Sequence, residues 1–258
     1  MSQSPAIANN KTWFISDLHL DVSRPHLFQL FDQFIDDIQQ QVETLYILGD
    51  LFEFWIGDDI LDTPVCEPYL PVINKLKALS DSGVSIFFIQ GNRDFLLQQK
   101  FMQRIGGELL PDQNVIDLYG VPTLIMHGDT LCTDDKSYQR MRWLFRLKII
   151  QKLYLSLSPE KRAKQAKGVR EVTSEKTKQK NYKILDVNQQ TVEKEMLKAG
   201  VFQLIHGHTH RPETHSFELD GKPARRIVLG DWQEKASFLE CSADGAMRLY
   251  TGREKRLS

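Results

Sequence analysis

The sequence predicts an α/β protein with a largely buried, partly parallel sheet covered by helices, and with a helical insertion. Between residues 11 and 129, short apolar runs alternate with amphipathic segments, which predicts strand–helix–strand units. The strand-like runs are almost continuously apolar, as expected for strands that are buried on both faces. A length of 258 residues suits one large domain, or one domain with an insertion.

The first half of the chain alternates regularly. A strand ends at Ser16, and Leu27, Phe31, Phe34 and Ile38 then recur at helical spacing, which predicts a helix over residues 25–41. The remaining predicted elements of this half are a strand before Gly49, a helix over 71–82 closed near Gly83, a strand before Gly91, a short helix, and strands near 115–118 and 123–126.

The middle of the chain is predicted to be helical, and the last part to form hairpins. Helices are predicted over 137–157, from Ser158-Pro159 to about 170, and over 186–199, with Gly200 as the last cap. Strands are predicted at 214–219, 224–229, 236–240 and 246–250, with turns at residues 220–221 and 244–245. We therefore expect a core of residues 1–135 and 200–258, with a helical lid insertion at 136–199.

Five polar clusters close five of the apolar runs. They are Asp17-Leu18-His19, Gly49-Asp50, Gly91-Asn92-Arg93-Asp94, His127-Gly128-Asp129 and Gly207-His208-Thr209-His210. Ligands in open α/β sheets lie at the carboxyl ends of strands, and residues two apart on a strand point to the same side. Carboxylate, amide and imidazole groups without cysteine suit hard or borderline divalent ions. The clusters therefore predict a metal site assembled from several strand ends.

The order of these clusters resembles that of the calcineurin-like metallophosphoesterases. The resemblance implies an αββα sandwich with two divalent ions, with manganese favoured, and hydrolysis of a phosphoester by water activated by the ions. It implies that Asp50 bridges the ions and that Asp50, Asn92, Arg93 and His127 are catalytic. The implied ligand sets are Asp17, His19, Asp50 and His210 for one ion, and Asp50, Asn92, His127 and His208 for the other.

Longer matches at residues 45–59, 91–97, 126–135, 185–189 and 205–212 resemble one branch of that family. They imply cleavage at the α-phosphate of a UDP-linked, diacylated glucosamine, with UMP as one product. The resemblance implies substrate contacts at Asn92, Arg93, Asp135, Thr173, Thr177, Lys180 and His208. The contact of Thr177 stays open, because its hydroxyl lacks the paired donors of the amide found in some related sequences.

Charge is segregated within a nearly neutral chain. Residues 136–183 carry fifteen Lys or Arg and three acidic residues, against a formal net charge of −1 for the whole chain. The resemblance, together with this charge excess, implies that Trp143, Leu144, Phe145 and Ile149 line a groove for acyl chains and that the stretch docks on an anionic inner-leaflet surface. Plain helix packing, a solvated face and nucleic-acid binding are the alternatives. No nucleic-acid motif occurs, and no obligate protein partner is expected.

The sequence also predicts a location. The three cysteines are far apart and lack zinc-ligand spacing, which indicates unpaired thiols in a reducing compartment. The polar start predicts no secretory signal, and no apolar run is long enough to span a bilayer. We therefore expect a cytoplasmic protein that is peripheral on the inner membrane.

Several alternatives remain at this point. The chain could be another phosphodiesterase or phosphatase of the same fold that acts on a different nucleotide or phosphoester, or a non-catalytic binding module. Asp94 and Asp129 are interpreted as supports for the ligands, and His206 as an orienting or packing residue. Four residues are equally consistent with a wall of the site and with a helix-capping or loop cluster: Glu53, Trp55, Asp58 and Asp59.

Overall fold

A computed structural model describes residues 11–166, 168 and 186–251. The described strands form two sheets, one in the order β11-β10-β1-β2-β3-β4 and one in the order β5-β6-β7-β9-β8. The strands are β1 (Lys11–Ile15), β2 (Val42–Ile47), β3 (Ser85–Phe88), β4 (Glu108–Leu109), β5 (Gln113–Leu118), β6 (Val121–Met126), β7 (Gln203–His206), β8 (Glu213–Leu219), β9 (Lys222–Val228), β10 (Phe238–Ser242) and β11 (Met247–Tyr250). Strands β1 to β4 run parallel, as do β6, β7 and β9, while the pairings β1–β10, β10–β11, β5–β6 and β8–β9 are antiparallel.

Helices connect and cover these strands. The described helices are α1 (Pro25–Ile38), α2 (Leu70–Asp81), α3 (Gln99–Ile105), α4 (Lys136–Phe145), α5 (Lys148–Leu155), α6 with described residues 159–166, and α7 (Gln189–Ala199). Pro25 begins α1, where its fixed φ suits the first turn and its missing N–H leaves no bond unmade. Across the described residues, no helix combines the length and the apolar character needed to cross a membrane.

The core consists of three apolar layers that follow the alternation of the strands. Trp13 and Ile15 of β1 face α1 and α2, whereas Phe14 between them faces the second sheet. In the second sheet, Ile125 faces the first sheet, and Leu124 packs with Met196 of α7. The layers are therefore helix, sheet, sheet and helix, as the αββα expectation requires.

The insertion differs from its prediction in one respect. The single helix expected over 137–157 is two helices, because Leu147 is extended between α4 and α5. The Arg146 guanidinium reaches Gly91 O at 3.2 Å and Asp112 Oδ1 at 3.1 Å, which fixes the end of α4 against the core. Periodicity continues across the break, so the sequence alone does not mark it.

Smaller differences concern the bounds of elements and one additional strand. The last helix begins at Gln189 and not at 186, because the Asn188 side chain caps it by accepting the N–H of Thr191 at 3.0 Å. The short strand β4 was not anticipated, since two residues give no periodic signal. All three cysteines are buried and unpaired, as predicted.

Candidate metal centre

The five polar clusters meet where the two sheets present their carboxyl ends. Asp17 and Asp50 follow the parallel strands β1 and β2, and His127 follows β6. Backbone hydrogen bonds join the clusters directly: Asp17 N–H donates to Gly49 O at 3.0 Å, and Gly207 N–H donates to His127 O at 2.8 Å. The site is therefore built across both sheets.

The first group of facing atoms comes from Asp17, His19 and His210. Their metal-competent atoms all lie within 4.8 Å of one another. His210 Nε2 is 3.3 Å from Asp17 Oδ1 and 3.2 Å from His19 Nε2. Asp17 is fully buried, whereas 39% of the His210 side chain is exposed, so the group opens to solvent on the His210 side.

The second group comes from Asp17, Asp50 and His127, whose atoms also lie within 4.8 Å of one another. His127 Nε2 lies 3.7 Å from Asp50 Oδ2 and 3.1 Å from Asn92 Oδ1. The His208 ring stacks edge-on against His127 with their centroids 5.0 Å apart. The structure thus brings together all seven residues that the sequence assigned as ligands.

The donor set fits divalent ions. Two buried carboxylates, an amide oxygen and imidazole nitrogens converge within a few ångströms, a set that suits manganese, iron, zinc or cobalt. Asp50 Oδ2 faces both groups, lying 3.9 Å from His19 Nε2 and 3.7 Å from His127 Nε2. Its other oxygen accepts the Arg93 N–H at 2.8 Å. Asp50 Oδ2 thus lies within 4 Å of one imidazole of each group, and Asp17 is the carboxylate that both groups share.

The backbone is strained at five of the seven candidate ligands. Asp17, His19, Asp50, His208 and His210 all have φ between 49° and 69°, a left-handed region that non-glycine residues rarely occupy. Such strain persists where the surrounding structure over-determines it, and it clusters at functional sites. The strand ends are therefore shaped to aim side chains and not to continue the sheet.

A close approach explains one of the glycines in the motifs. A Cβ at Gly91 would lie 2.0 Å from Asp50 Oδ1 and 2.5 Å from the Asp50 backbone nitrogen. No larger residue fits there while Asp50 keeps its place.

Three of the imidazoles face an oxygen with the nitrogen that points away from the site, and that of His127 is within hydrogen-bonding distance. His127 Nδ1 lies 2.8 Å from Leu48 O, which leaves Nε2 to face the site. His19 Nδ1 lies 3.6 Å from Glu53 Oε2, and His210 Nδ1 lies 3.6 Å from Asp231 Oδ2. Asp231 is a residue that sequence reasoning missed. Its signal was present, because Gly230-Asp231 follows β9 as Gly49-Asp50 follows β2.

Asp94 supports the turns that carry Asp50 and Asn92, as inferred, whereas Asp129 accepts hydrogen bonds from two side chains of α4. Asp94 accepts the backbone N–H groups of Gly91 and Leu51, at 2.9 and 2.8 Å. Asp129 accepts the Tyr138 hydroxyl at 3.0 Å and Arg142 Nε at 2.5 Å. His206 is turned away from the centre: its Nε2 lies 3.2 Å from Arg226 Nη1.

Of the four residues left open, Trp55 lies in the core, Asp58 accepts the N–H of Phe101 near the start of α3, and Asp59 binds Arg162. Glu53, facing His19, is the one member that belongs to the wall of the site.

Burial and neighbouring charge shift the pKa values in opposite directions. Burial, together with the Asp94 and Asp17 carboxylates, raises the pKa of Asp50 to about 7. Burial lowers the pKa of His210, but the hydrogen bond to Asp17 and the charge of that carboxylate raise it overall, to about 9. Burial and His127 lower the pKa of His208 to about 3. Without a metal, the site thus holds protons on some groups that a cation would displace.

The residues assigned to the substrate are only partly described. Arg93 lies beside the metal centre, with its guanidinium carbon 5.5 Å from the centre of the Phe54 ring. Asp135 is buried and caps α4 by accepting the Tyr138 N–H at 3.0 Å. Thr173, Thr177 and Lys180 lie outside the described residues, so their contacts stay predictions.

Comparison with known proteins identifies the family. The sequence model of calcineurin-like phosphoesterases matches residues 11–212, which is most of the chain. The chain belongs to the calcineurin-like phosphoesterase family. Its metal centre is thus that of a phosphoesterase. A non-catalytic binding module would be expected to have lost some of the ligands. Each ligand position is filled here, so the site does not support that alternative.

Relatives within the family are similar over nearly their whole length. A protein of Nitrosococcus oceani is 47% identical over 234 residues, covering 91% of this chain and 92% of its own. Those of Photobacterium profundum and Pseudomonas aeruginosa are 45% and 44% identical, covering 91% and 90% of this chain and 94% and 95% of their own. All three are named UDP-2,3-diacylglucosamine hydrolase.

Proposed function

We propose that this protein hydrolyses UDP-2,3-diacylglucosamine at the α-phosphate of its pyrophosphate, giving UMP and 2,3-diacylglucosamine 1-phosphate, a step of lipid A synthesis. The observation that carries the proposal is the similarity to relatives of that name over about nine-tenths of the chain. The candidate metal centre also supports the proposal, because each ligand position of the family is filled and the seven candidate ligand side chains converge at the strand ends.

The chain's own residues have separable tasks. Asp17, His19, Asp50 and His210 would hold one ion, and Asp50, Asn92, His127 and His208 the other, with manganese as the proposed metal. Bound divalent ions supply an activated water near neutral pH and stabilise charge on phosphoryl oxygens. Arg93 donates its backbone N–H to Asp50, and its planar guanidinium suits two oxygens of one phosphate. Substrate contacts are proposed for Asn92, Arg93, Asp135, Thr173, Thr177, Lys180 and His208.

The insertion at 136–199 is proposed as a lid that receives the acyl chains. Trp143, Ile149 and Leu153 expose 66%, 62% and 62% of their surface, an unusual share for large apolar residues. Exposed basic residues lie on these two helices and on α6: Lys136, Arg140, Lys148, Lys152, Lys161 and Lys164. A surface that is both apolar and basic favours an anionic bilayer, so we propose peripheral binding to the cytoplasmic side of the inner membrane.

Some basic residues of the insertion form hydrogen bonds with the core and are therefore not part of the proposed membrane surface. Arg142 and Arg146 both donate to Asp112, and Arg162 donates to Asp59. These three arginines hold the insertion to the core, so part of the basic excess is not available to a membrane. The exposed lysines carry the proposed contact.

One assay tests the proposed activity. Metal-free protein is refilled with Mn²⁺, Zn²⁺, Co²⁺ or Fe²⁺, and hydrolysis of UDP-2,3-diacylglucosamine is compared with that of UDP-glucosamine. We expect metal-dependent release of UMP from the acylated substrate, fastest with manganese. Equal rates on both substrates would contradict the lipid assignment and favour another nucleotide phosphodiesterase of this fold. Asp50→Ala should abolish turnover.

A second assay tests the membrane contact. Lys148, Lys152, Lys161 and Lys164 are changed together to Gln, and sedimentation with phosphatidylglycerol vesicles is measured. The control changes four exposed lysines outside α4, α5 and α6, namely Lys100, Lys194, Lys222 and Lys235. Loss of roughly 1 kcal/mol of binding free energy per lysine is expected only in the first variant. Equal binding by both variants would remove the proposed docking surface.

A further inference from the structure

A charged side chain is the deepest anchor of the insertion. Helices α4 and α5 contain no buried residue. Arg162 in α6 is nevertheless completely buried, and among the described residues 136–166 it alone is buried. A buried arginine has to be paired and hydrogen-bonded, so its partners determine where this part of the insertion lies.

All three guanidinium nitrogens of Arg162 have acceptors. Nη1 and Nη2 donate to the two carboxylate oxygens of Asp59, the first at 2.9 Å, and Nη1 also donates to Ile56 O. Nε donates to Leu157 O at 3.1 Å, which ties the end of α5 to α6. This two-point pairing fixes the orientation as well as the distance, which a lysine would not do.

The segment that receives Arg162 also contacts the metal centre. In residues 53–59, Glu53 faces His19 at 3.6 Å, and the Trp55 N–H donates to Arg93 O at 3.2 Å. The approach of the insertion to this segment is tight, since a Cβ at Gly57 would lie 2.5 Å from Leu155 Cδ2 and 2.7 Å from Arg162 Nη1. One short segment therefore connects a candidate ligand, a substrate arginine and the insertion.

The other end of α5 is held independently. Arg142 donates to Asp129, two residues after His127, and Arg146 donates to Gly91 O, next to Asn92. Arg142 and Arg146 therefore anchor the chain before α5, and Arg162 anchors it after α5. Each anchor is attached to a loop of the metal centre, and α5 between them exposes Ile149 and Leu153.

We infer that the Arg162–Asp59 pair is a positioning device that fixes the apolar face of α5 relative to Arg93 and thereby sets affinity for the acyl chains of the substrate. The inference rests on the proposed function and names residues that act on substrate only through α5. Breaking the pair should leave the metal centre intact, because none of the seven candidate ligands contacts Arg162 or Asp59 in the described hydrogen bonds and ion pairs.

The test compares Asp59→Asn and Arg162→Lys with the control Asp62→Asn, whose carboxylate is 85% exposed and pairs with Arg104 at 3.5 Å. The substrates are UDP-2,3-diacylglucosamine and bis(p-nitrophenyl) phosphate, which has no acyl chain.

For Asp59→Asn we expect KM for the acylated substrate to rise about tenfold, equivalent to ~1.4 kcal/mol. Its kcat, and turnover of the small diester, should stay within about twofold of wild type, the range left by remote substitutions. Arg162→Lys should fall between wild type and Asp59→Asn, and Asp62→Asn should match wild type.

Two kinetic outcomes would overturn the inference. Equal losses on both substrates would mean that the pair supports the metal centre itself, and an unchanged KM would mean that it positions nothing. Hydrogen exchange of the α5 amides gives a readout that needs no substrate: it should accelerate in Asp59→Asn while β1 to β3 stay protected, and identical exchange in both proteins would overturn the inference. If wild type does not cleave the acylated nucleotide sugar but α5 exchange still accelerates, the proposed function fails and positioning of α5 stands.

Discussion

The carboxylate of Asp94 accepts the backbone N–H of Leu51 at 2.8 Å, across 43 residues of chain. It also accepts the N–H of Asp50 at 3.2 Å and that of Gly91 at 2.9 Å. One buried side chain thus joins the turn after β2 to the turn after β3. Asp50 and the neighbouring Asn92 are held in register by a residue that is not itself a candidate ligand.

Asp94→Asn is expected to weaken metal binding without unfolding the protein. An amide oxygen accepts hydrogen bonds, but the amide nitrogen would face backbone N–H groups, so Asp50 loses part of its support. Loss of such an outer partner costs roughly 10–100-fold in metal affinity or activity. Titration with Mn²⁺ measures the change. Asp117→Asn is the control, because Asp117 caps the distant β5–β6 turn. Equal affinity in Asp94→Asn and wild type would show that the turns hold Asp50 unaided.

His210→Ala is expected to remove one of two ions. His210 faces Asp17 and His19, whereas His127, Asn92 and His208 form the other side of the centre. Metal content by mass spectrometry should fall from two to one per chain at limiting free metal. His215→Ala, a partly exposed position on β8, should keep two. Loss of both ions, or of neither, would contradict the division of ligands between two sites.

Metal binding is expected to release protons. Without metal, the pKa of His210 is about 9 and that of Asp50 about 7, so at neutral pH His210 is protonated and Asp50 about half protonated, and a cation must displace these protons. Affinity should therefore rise with pH between about 6 and 9, as these groups lose their protons. Calorimetry in buffers of different ionisation enthalpy counts the protons, and His210→Ala should release fewer. A heat of binding that is independent of buffer would refute the release.

More of the metal centre than of the insertion could be predicted from the sequence. Asp17, Asp50 and His127 each follow an apolar run, so the strand end and the ligand type are both local signals. Parallel pairing of β1 with β2 brings Asp17 and Asp50 to one edge of the first sheet, and His127 joins them because the second sheet packs against the first. That geometry needs no knowledge of particular side-chain contacts.

The missed features depend on long-range contacts instead. The break at Leu147 has no proline or glycine to mark it and coincides with Arg146 reaching Gly91, 55 residues away. The burial of Arg162 depends on Asp59, 103 residues away, although a run of lysines and arginines predicts a solvated face. The sequence shows which chemical groups each residue carries. A partner that lies so far away in the chain becomes known only from the three-dimensional structure.

Gly207→Ala is expected to disturb the centre through sterics alone. The added Cβ would lie 2.3 Å from both Asp17 Oδ2 and Ser16 Oγ, two atoms already joined by a 2.6 Å hydrogen bond in a buried place. Asp17 Oδ2 also accepts the His208 N–H at 2.8 Å, so neither atom can move without breaking a bond. Overpacking of this kind costs about 1–3 kcal/mol.

Urea unfolding should show that loss for Gly207→Ala, and Mn²⁺ should restore less stability than in wild type, because Asp17 is displaced. Gly168→Ala is the matched control, since a Cβ there meets no heavy atom within 4 Å. An unfolding midpoint for Gly207→Ala equal to that of the control, with and without Mn²⁺, would mean that the Ser16–Asp17 turn relaxes freely. The close approach of the two sheets at Gly207 would then not be what aims Asp17 at the metals.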